Sequence, residues 1–267
     1  MDGFKAEVIS DTHLNMWKYS DEQISAIFPG TAVTGASTLI LAGDIGDPDE
    51  ESLYKAINFA RQKYKRVIYV PGNHEFYNRE PGSTKSPACV INWFEKLDTQ
   101  WSNFHFFYRR SQIIDGVKVI GATGWTTSPK PTKWSNLISE EGKRDSEYIE
   151  KALSCSTHPA LVITHYPSTF RVLQEDYKDK LIQYDYAQDL ERLYVYPLNT
   201  WVFGHVHQKH DFTIPYSSSM SGSGEVRVIC NPYGYPNEGI TSALPKAFTV
   251  TAKSEVKSLY DTSYQIL

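Results

Sequence analysis

The chain has 267 residues, of which 40% are apolar, enough for a substantial core that we expect to form one domain over residues 1–267. Its 27 basic and 31 acidic residues leave a net charge of −4, which argues against binding of extended nucleic acid. Three widely spaced cysteines, and no signal-like or membrane-spanning apolar segment, favour a cytoplasmic protein without membrane attachment.

The first third of the chain predicts buried strands joined by a helix. Residues 4–10 alternate apolar and charged side chains, and residues 37–43 and 66–70 are continuous apolar runs typical of strands buried on both faces. The segment between these two runs predicts a helix, because five apolar residues recur there at helical spacing. These residues are Leu53, Ala56, Ile57, Ala60 and Tyr64. The unit therefore predicts two parallel strands with a right-handed crossover.

The middle of the chain predicts two further helices, over residues 86–97 and 139–153. Between them, an Asp-Gly pair at 115–116 has the composition of a tight hairpin turn. Two apolar runs that end in histidines, at 159–167 and 198–207, predict buried strands.

The last third of the chain predicts mainly strands. Short β-prone runs occur at 211–216, 225–236 and 246–252. The segment 217–225, with the sequence SSSMSGSGE, predicts an exposed loop between two of these strands because it is rich in Ser and Gly.

Carboxylate, amide and imidazole side chains stand directly after the predicted buried strands. In open α/β sheets, ligands bind outside the carboxyl ends of the strands, so we expect these side chains to meet at one edge. Such a set without thiolate suits Mn, Fe, Zn, Ni or Co. The number of these side chains exceeds the number of ligands that one ion binds, which favours two ions that share a carboxylate. The residues are Asp11, His13, Asp44, Asn73, His74, His165, His205 and His207.

Five blocks in this order resemble the signature of the calcineurin-like metallophosphoesterase superfamily: D-x-H, G-D-x-x-D, G-N-H-E/D, a lone H, and G-H-x-H. They are DTH at 11–13, GDIGD at 43–47, GNHE at 72–75, His165, and GHVH at 204–207. One block alone is a weak signal, but five in order, each after a predicted strand, are specific. The resemblance implies an α/β fold, a four-layer αββα sandwich of two mixed β-sheets flanked by helices, with the metal site at the carboxyl ends of strands.

The resemblance also implies which residues hold two divalent ions. We expect Mn first, with Fe, Zn, Ni or Co as alternatives. The implied ligands are Asp11, His13 and His207 for the first ion, Asn73, His165 and His205 for the second, and Asp44 for both.

The same resemblance implies roles in catalysis. A hydroxide that bridges the two ions beside Asp44 would be the nucleophile, and His74 would assist the leaving group. Asp47 and Glu75 would contact the ligands rather than the ions and would orient them. For the remaining histidines, nothing in the sequence indicates a functional role. They are His105, His158 and His210.

The blocks predict the reaction type and leave the substrate open. Protein Ser/Thr phosphatases of the superfamily carry an arginine directly after GNHE, and Phe76 stands there instead, which argues against that activity. We expect hydrolysis of small phosphomonoesters or small phosphodiesters such as cyclic nucleotides. The alternatives are a nuclease or nucleotide pyrophosphatase, and a non-catalytic protein-binding scaffold, which the complete ligand set and His74 argue against. The native metal, the substrate-binding residues and the oligomeric state stay open.

Overall fold

The computed structural model describes residues 3–16, 18–77, 86–127, 133–178, 180–219, 222–235, 238 and 246–250. The strands in these ranges are β1 Phe4–Ile9, β2 Thr38–Ala42, β3 Arg66–Val70, β4 Phe104–Phe106, β5 Arg110–Ile114, β6 Val117–Gly121, β7 Ala160–Ile163, β8 Leu198–Phe203, β9 His210–Ser218, β10 Gly222–Cys230 and β11 Lys246–Val250. The α-helices are α1 Asp21–Ala26, α2 Thr31–Thr34, α3 Glu51–Lys63, α4 Pro87–Gln100, α5 Lys133–Ser154 and α6 Gln183–Tyr186.

The strands form two mixed sheets. The first has the order β11-β1-β2-β3-β4, in which β11 is antiparallel to β1 and the other neighbours are parallel. The second has the order β5-β6-β7-β8-β10-β9, antiparallel at both ends and parallel between β6 and β10. Because the central strands run parallel, their carboxyl ends lie at one edge of each sheet.

Three apolar clusters show how the layers stack. One cluster joins β1, β2 and β3 to β6, β7 and β8, and therefore lies between the two sheets. A second packs helices α1, α3 and α4 on the outer face of the first sheet. A third packs α5 and the 170–194 segment on the outer face of the second sheet. The predicted four-layer αββα sandwich is confirmed.

The helical crossover of the first sheet follows from its sequence. The apolar stripe of α3 is fully buried at Leu53, Ala56, Ile57 and Ala60. The parallel pairing of β2 with β3 on either side of this helix confirms the predicted crossover unit. No helix in the described part of the chain has the length and apolar character needed to cross a membrane.

Two expectations about local structure need correction, and three short helices were not predicted. The 217–225 segment is largely strand rather than loop, since Ser217 pairs with Ser223 across the β9–β10 hairpin. The apolar pair Ile214 and Val226 sets this register, and the ladder continues through Ser and Gly despite their low strand propensity. Helix α5 begins at Lys133, six residues before the predicted start. Short helices α1, α2 and α6 carry too few apolar residues to show a periodic pattern.

Candidate metal centre

The predicted ligands meet where the two sheets present the ends of their parallel strands. Segments after β1, β2 and β3 come from the first sheet, and segments after β7 and β8 come from the second. Backbone hydrogen bonds tie the segments together, for example His13 N–H to the Asp44 carbonyl at 3.0 Å and Gly204 N–H to the His165 carbonyl at 2.9 Å. The site is therefore built jointly by both sheets.

One ligand group contains Asp11, His13 and His207. The Nε2 atoms of His13 and His207 lie 3.1 Å apart, and His207 Nε2 is 3.4 Å from Asp11 Oδ1. Asp11 and His13 are fully buried. One ligand atom from each residue lies within 4.8 Å of the others, a spacing that fits donors converging on one ion.

The second ligand group contains Asn73, His165 and His205. His165 Nε2 lies 2.9 Å from Asn73 Oδ1, while its Nδ1 faces the Ala42 carbonyl at 2.9 Å and is thereby fixed as the N–H side of the ring. His205 Nε2 is buried without a hydrogen-bond partner among the residues that the structure describes. A buried lone pair without a partner is costly unless a ligand satisfies it.

Asp44 lies between the two groups. Its Oδ2 atom is 4.0 Å from His13 Nε2 and 3.2 Å from His165 Nε2. The carboxyl group is buried, and it forms ligand-sized clusters both with His13 and with the pair His165 and His205. One carboxylate shared by two sets of imidazoles is the arrangement that two neighbouring cations need, so the residues fit a dinuclear centre.

His74 also faces this carboxylate, with Nε2 at 3.9 Å from Asp44 Oδ2. Its backbone N–H donates to Asp44 Oδ1 at 2.8 Å. His74, His13 and Asp44 form a third cluster of ligand-sized spacing. Geometry alone therefore allows His74 to act as a ligand as well as a proton donor, and metal content after its removal separates these roles.

The backbone around the ligands is unusual. Asp11, His13, Asp44, His205 and His207 all have positive φ, between 44° and 70°. Left-handed conformations are uncommon for residues other than glycine, and they cluster at functional sites where the surroundings enforce them. The strand-end segments therefore turn at the ligands themselves.

Two glycines leave room for the carboxylates. A Cβ on Gly72 would overlap the Asp44 side chain and backbone nitrogen, and a Cβ on Gly204 would come within 2.8 Å of Asp11 Oδ2. The φ of Gly204 is not positive, and the left-handed residues of this block are His205 and His207 instead. The function of Gly204 is close approach to Asp11.

Glu75 supports Asp44 through the backbone. Its carboxylate accepts hydrogen bonds from Asp44 N at 3.1 Å and Gly72 N at 2.7 Å, and from the Tyr69 hydroxyl at 2.6 Å. Burial, with the nearby Asp44 carboxylate, raises the pKa of Glu75 to about 7. Asp47 is partly buried and accepts a hydrogen bond from Asp49 N at 2.9 Å, so its proposed orienting role stays a prediction.

Two residues at the site were missed by the sequence analysis. Glu238 Oε2 lies 2.7 Å from His207 Nδ1, which directs the other ring nitrogen of His207 toward Asp11. Tyr235 stacks on the His13 ring at 4.3 Å between centroids. The one available signal was that the segment after 230 follows an apolar strand, as the other blocks do.

The electrostatics favour neutral imidazoles at two positions. Burial lowers the pKa of His13 to about 4 and that of His205 to about 3, despite the Asp44 and Asp11 carboxylates. Both rings therefore keep a lone pair for a cation. Burial also lowers the pKa of His165, but the Asp44 carboxylate outweighs it and the net result is about 9. A cation that binds there replaces the His165 proton.

A cavity of about 380 Å³ opens beside the centre. Asp44, Asn73, His74, His205 and His207 of the centre line it. The rest of its described lining is mostly aromatic and aliphatic and contains no lysine or arginine. These residues are Tyr77, Val172, Leu173, Tyr177, Tyr186, Val206 and Tyr235, together with the polar Gln174, Gln208 and Glu238.

Two arginines that could otherwise contact a phosphate are engaged in ion pairs. Arg109 pairs with Glu141 at 2.7 Å and Asp145 at 2.8 Å, and Arg171 pairs with Glu191 at 2.8 Å. Three further candidates fall outside the described residues or side chains: Arg79, Lys130 and Lys133.

The sequence of the chain matches a known family and a curated relative. The model of the calcineurin-like phosphoesterase family matches residues 6–209. An uncharacterized protein of Acanthamoeba polyphaga mimivirus is 25% identical over 237 residues, covering 74% of this chain and 82% of that protein.

A solved structure shows the same fold, and a second one gives a weaker alignment. The phosphopantetheinyl hydrolase from Mycobacterium tuberculosis aligns with a TM-score of 0.56 at 16% identity, over 94% of this chain and 98% of that one. A dimetal phosphatase from Danio rerio aligns with a TM-score of 0.48 at 13% identity, over 86% of this chain and 87% of that one. At these identities a structural likeness concerns the fold alone.

Proposed function

The chain belongs to the calcineurin-like phosphoesterase family, and from this premise we propose that its centre hydrolyses small phosphomonoesters or small phosphodiesters, including cyclic nucleotides. The observation that carries the proposal is the position of Asp44, whose Oδ2 faces both groups of imidazoles and also His74, which lines the same cavity as Asp44. This arrangement joins a dinuclear ligand set to a proton donor that a substrate can reach.

Each residue of the centre has a defined task in this proposal. When bound, two divalent ions supply a nucleophile at neutral pH and positive charge beside the phosphoryl oxygens. Asp44 would hold both ions, and the other ligands would form one group for each ion. The ligands are Asp11, His13 and His207 for one ion, and Asn73, His165 and His205 for the other. Manganese is our first candidate, with Fe, Zn, Ni or Co as alternatives, because a mixed set of oxygen and imidazole donors suits this group of divalent ions.

His74 delivers a proton to the departing oxygen in this proposal. The side chain is partly exposed, lines the cavity and lies 3.9 Å from Asp44 Oδ2. Burial lowers the pKa of His74, and the Asp44 carboxylate opposes that effect. An imidazole in this position can donate to a leaving group that departs away from the ligands, a contribution of about 10²–10⁴-fold in rate.

The cavity supports a small substrate. A volume of about 380 Å³ admits a compact ester, and the tyrosine-rich wall offers contact to an uncharged organic group. Nucleotide pyrophosphates carry further phosphates beyond the one that the two ions would contact, and the described lining has no lysine or arginine to pair with them. This favours substrates with one phosphate over the pyrophosphatase alternative.

The experiment is a substrate panel measured with the metal-loaded protein. It compares p-nitrophenyl phosphate, bis-p-nitrophenyl phosphate, cyclic nucleotides, a nucleotide pyrophosphate and single-stranded DNA with several metals. We expect turnover of a monoester or small diester with Mn²⁺. Exclusive activity on DNA or on the pyrophosphate would replace the proposed substrate class. No activity on any substrate, with metal shown to be bound, would contradict the enzyme proposal.

The role of His74 has its own test. His74→Ala should retain both ions, measured by elemental analysis, while kcat falls by about 10²–10⁴-fold. His158→Ala, a half-buried histidine outside the centre, is the matched control and should behave like the parent. Loss of metal from His74→Ala would show that His74 is a ligand instead.

A further inference from the structure

The chain returns to the metal centre after the region that the family model matches. Beyond β10, Tyr233 N donates to the Ser10 carbonyl and Gly234 N to the Asp11 carbonyl, both at 2.8 Å. Asn231 Nδ2 donates to the Val8 carbonyl at 2.9 Å. These bonds fix the segment against the end of β1, although it lies outside residues 6–209.

Tyr235 is held at the centre from three sides. Its ring stacks on His13, with centroids 4.3 Å apart at an angle of 30°, and meets the edge of His207 at 4.5 Å. Its backbone N–H donates to Glu238 Oε2 at 2.7 Å. The same ligand rings that would hold the first ion therefore fix the position of the Tyr235 side chain.

The Tyr235 hydroxyl lies 3.2 Å from His74 Nε2. Among the described residues, it is the one side chain that hydrogen-bonds to this ring. Tyr77 contacts the ring only through aromatic packing, at 4.6 Å between centroids. A hydroxyl both donates and accepts, so it can pair with Nε2 in either tautomer of the imidazole.

We propose that Tyr235 is a positioning residue for His74: its hydroxyl holds the ring with Nε2 toward Asp44 and the cavity until the departing oxygen replaces the hydroxyl as the partner of that nitrogen. This inference rests on the proposed role of His74 in leaving-group protonation. A ring fixed in this orientation stays in the rotamer from which it can reach the departing oxygen. Without the hydroxyl, packing against Tyr77 and His13 leaves rotation of the ring less restricted.

The effect of the Tyr235 hydroxyl on the rate should depend on the leaving group of the substrate. Proton donation matters most when the leaving group is a strong base, and little when it is a nitrophenolate. Loss of the Tyr235 hydroxyl should therefore slow esters of poor leaving groups more than esters of good ones. A merely structural defect at the ligands would slow both equally.

The test compares Tyr235→Phe with Tyr54→Phe, which removes the hydroxyl of an exposed tyrosine on α3. Phenyl and p-nitrophenyl esters of the phosphate type accepted by the parent serve as substrates. For Tyr235→Phe we expect kcat to fall about tenfold on the phenyl ester and less than about twofold on the p-nitrophenyl ester. KM and metal content should stay unchanged, and Tyr54→Phe should match the parent.

A double-mutant cycle with His74→Ala shows whether the effect passes through His74. Tyr235→Phe should cause no further loss in that background. An equal loss on both esters, a loss that persists without His74, or loss of metal would each overturn the proposal.

A spectroscopic readout does not depend on turnover. In the zinc-loaded full chain, the ring ¹⁵N resonances of His74 should shift in Tyr235→Phe and not in Tyr54→Phe. Unchanged resonances would overturn the contact itself. If the parent hydrolyses no ester, the proposed function fails, and the ¹⁵N comparison still decides whether Tyr235 holds the His74 ring.

Discussion

At the scale of single residues, the ligands carry backbone strain. Asp11, Asp44 and His205 have φ of 56°, 55° and 70°, in a region that costs such residues about 1–2 kcal/mol each relative to right-handed conformations. Cations that bind their side chains favour the same conformations, because the donors converge only when the chain turns at these positions. Strain at the ligands is therefore expected to be offset by metal binding.

A prediction at this scale concerns Glu238. Its carboxylate lies 2.7 Å from His207 Nδ1 and fixes the ring that faces Asp11. Glu238→Gln weakens this contact by removing the charge, so we expect metal affinity to fall by about 10-fold. Isothermal titration with Mn²⁺ measures the change, and Glu225→Gln, an exposed position on β10, is the control. Equal affinities for parent and Glu238→Gln would contradict the role of Glu238.

The sequence predicted some residues of the centre and not others. Asp44 and His165 were found because each follows a buried apolar strand and has metal-binding chemistry, and the structure places them 3.2 Å apart. Tyr235 was missed because a tyrosine carries no such chemistry. Glu238 was missed because it lies eight residues beyond β10, at a distance that only the folded chain brings to His207.

At the scale of elements, helix α5 shows packing overriding propensity. Gly142 lies inside this helix, where alanine is ordinarily more stable by about 1 kcal/mol. A Cβ at this position would overlap the Trp125 carbonyl oxygen and lie 2.9 Å from that of Thr126. The glycine thus lets α5 approach the segment that follows β6.

Gly142→Ala is therefore predicted to destabilise the protein, opposite to what helix propensity gives. We expect the free energy of unfolding to fall by about 1–3 kcal/mol, as for other overpacked sites. Urea denaturation measures it, with Lys143→Ala on the exposed face of the same helix as the control. A gain in stability would show that the helix can shift away from Trp125 at no cost.

Elements with a strong apolar pattern were predicted well and short ones were not. The predicted turn at 115–116 closes the β5–β6 hairpin, since Asp115 and Gly116 have φ of 49° and 79°. The 217–225 segment was wrong because cross-strand pairing, not local propensity, decides whether Ser and Gly form strand. Pairing of this kind cannot be seen in a local window of sequence.

At the scale of the whole molecule, stability should depend on pH through Glu7. This residue is fully buried on β1, accepts a hydrogen bond from the Tyr64 hydroxyl at 2.6 Å, and its Oε1 has no partner among the described residues. Burial raises the pKa of Glu7 and outweighs the Tyr64 hydrogen bond and the charge of Lys5, which both lower it. Between the unfolded pKa and this raised value, the folded state binds more protons than the unfolded state. Stability therefore falls as pH rises through that window.

Glu7→Gln should remove this contribution. The glutamine keeps an acceptor for Tyr64 and carries no charge, so we expect the free energy of unfolding of the variant, relative to that of the parent, to be higher at pH 8 than at pH 5. Urea denaturation at the two pH values tests it, with exposed Glu95→Gln on α4 as the control. A difference independent of pH would show that Glu7 is not the source.

The layered fold was predictable as a whole because the family blocks constrain it and the parallel crossover is visible in the apolar runs. The pairing of β8 with β10 could not be predicted from the sequence, since the intervening β9 forms the edge and β10 inserts beside β8. Non-local pairing of this kind depends on the packing of the sheet rather than on any single segment. The single domain over 1–267, the cytoplasmic location and the identity of the metal stay predictions.

Ligands contributed by both sheets make the centre a reversible cross-link. His13 and His207, 194 positions apart, approach to 3.1 Å only when the two sheets have docked. The complete ligand set therefore exists only after the two sheets have packed together. Ions that bind to it stabilise the folded chain and do not direct the packing of the sheets. Bound ions should therefore slow the separation of the two sheets during unfolding and leave the rate at which the sheets pack together during folding unchanged.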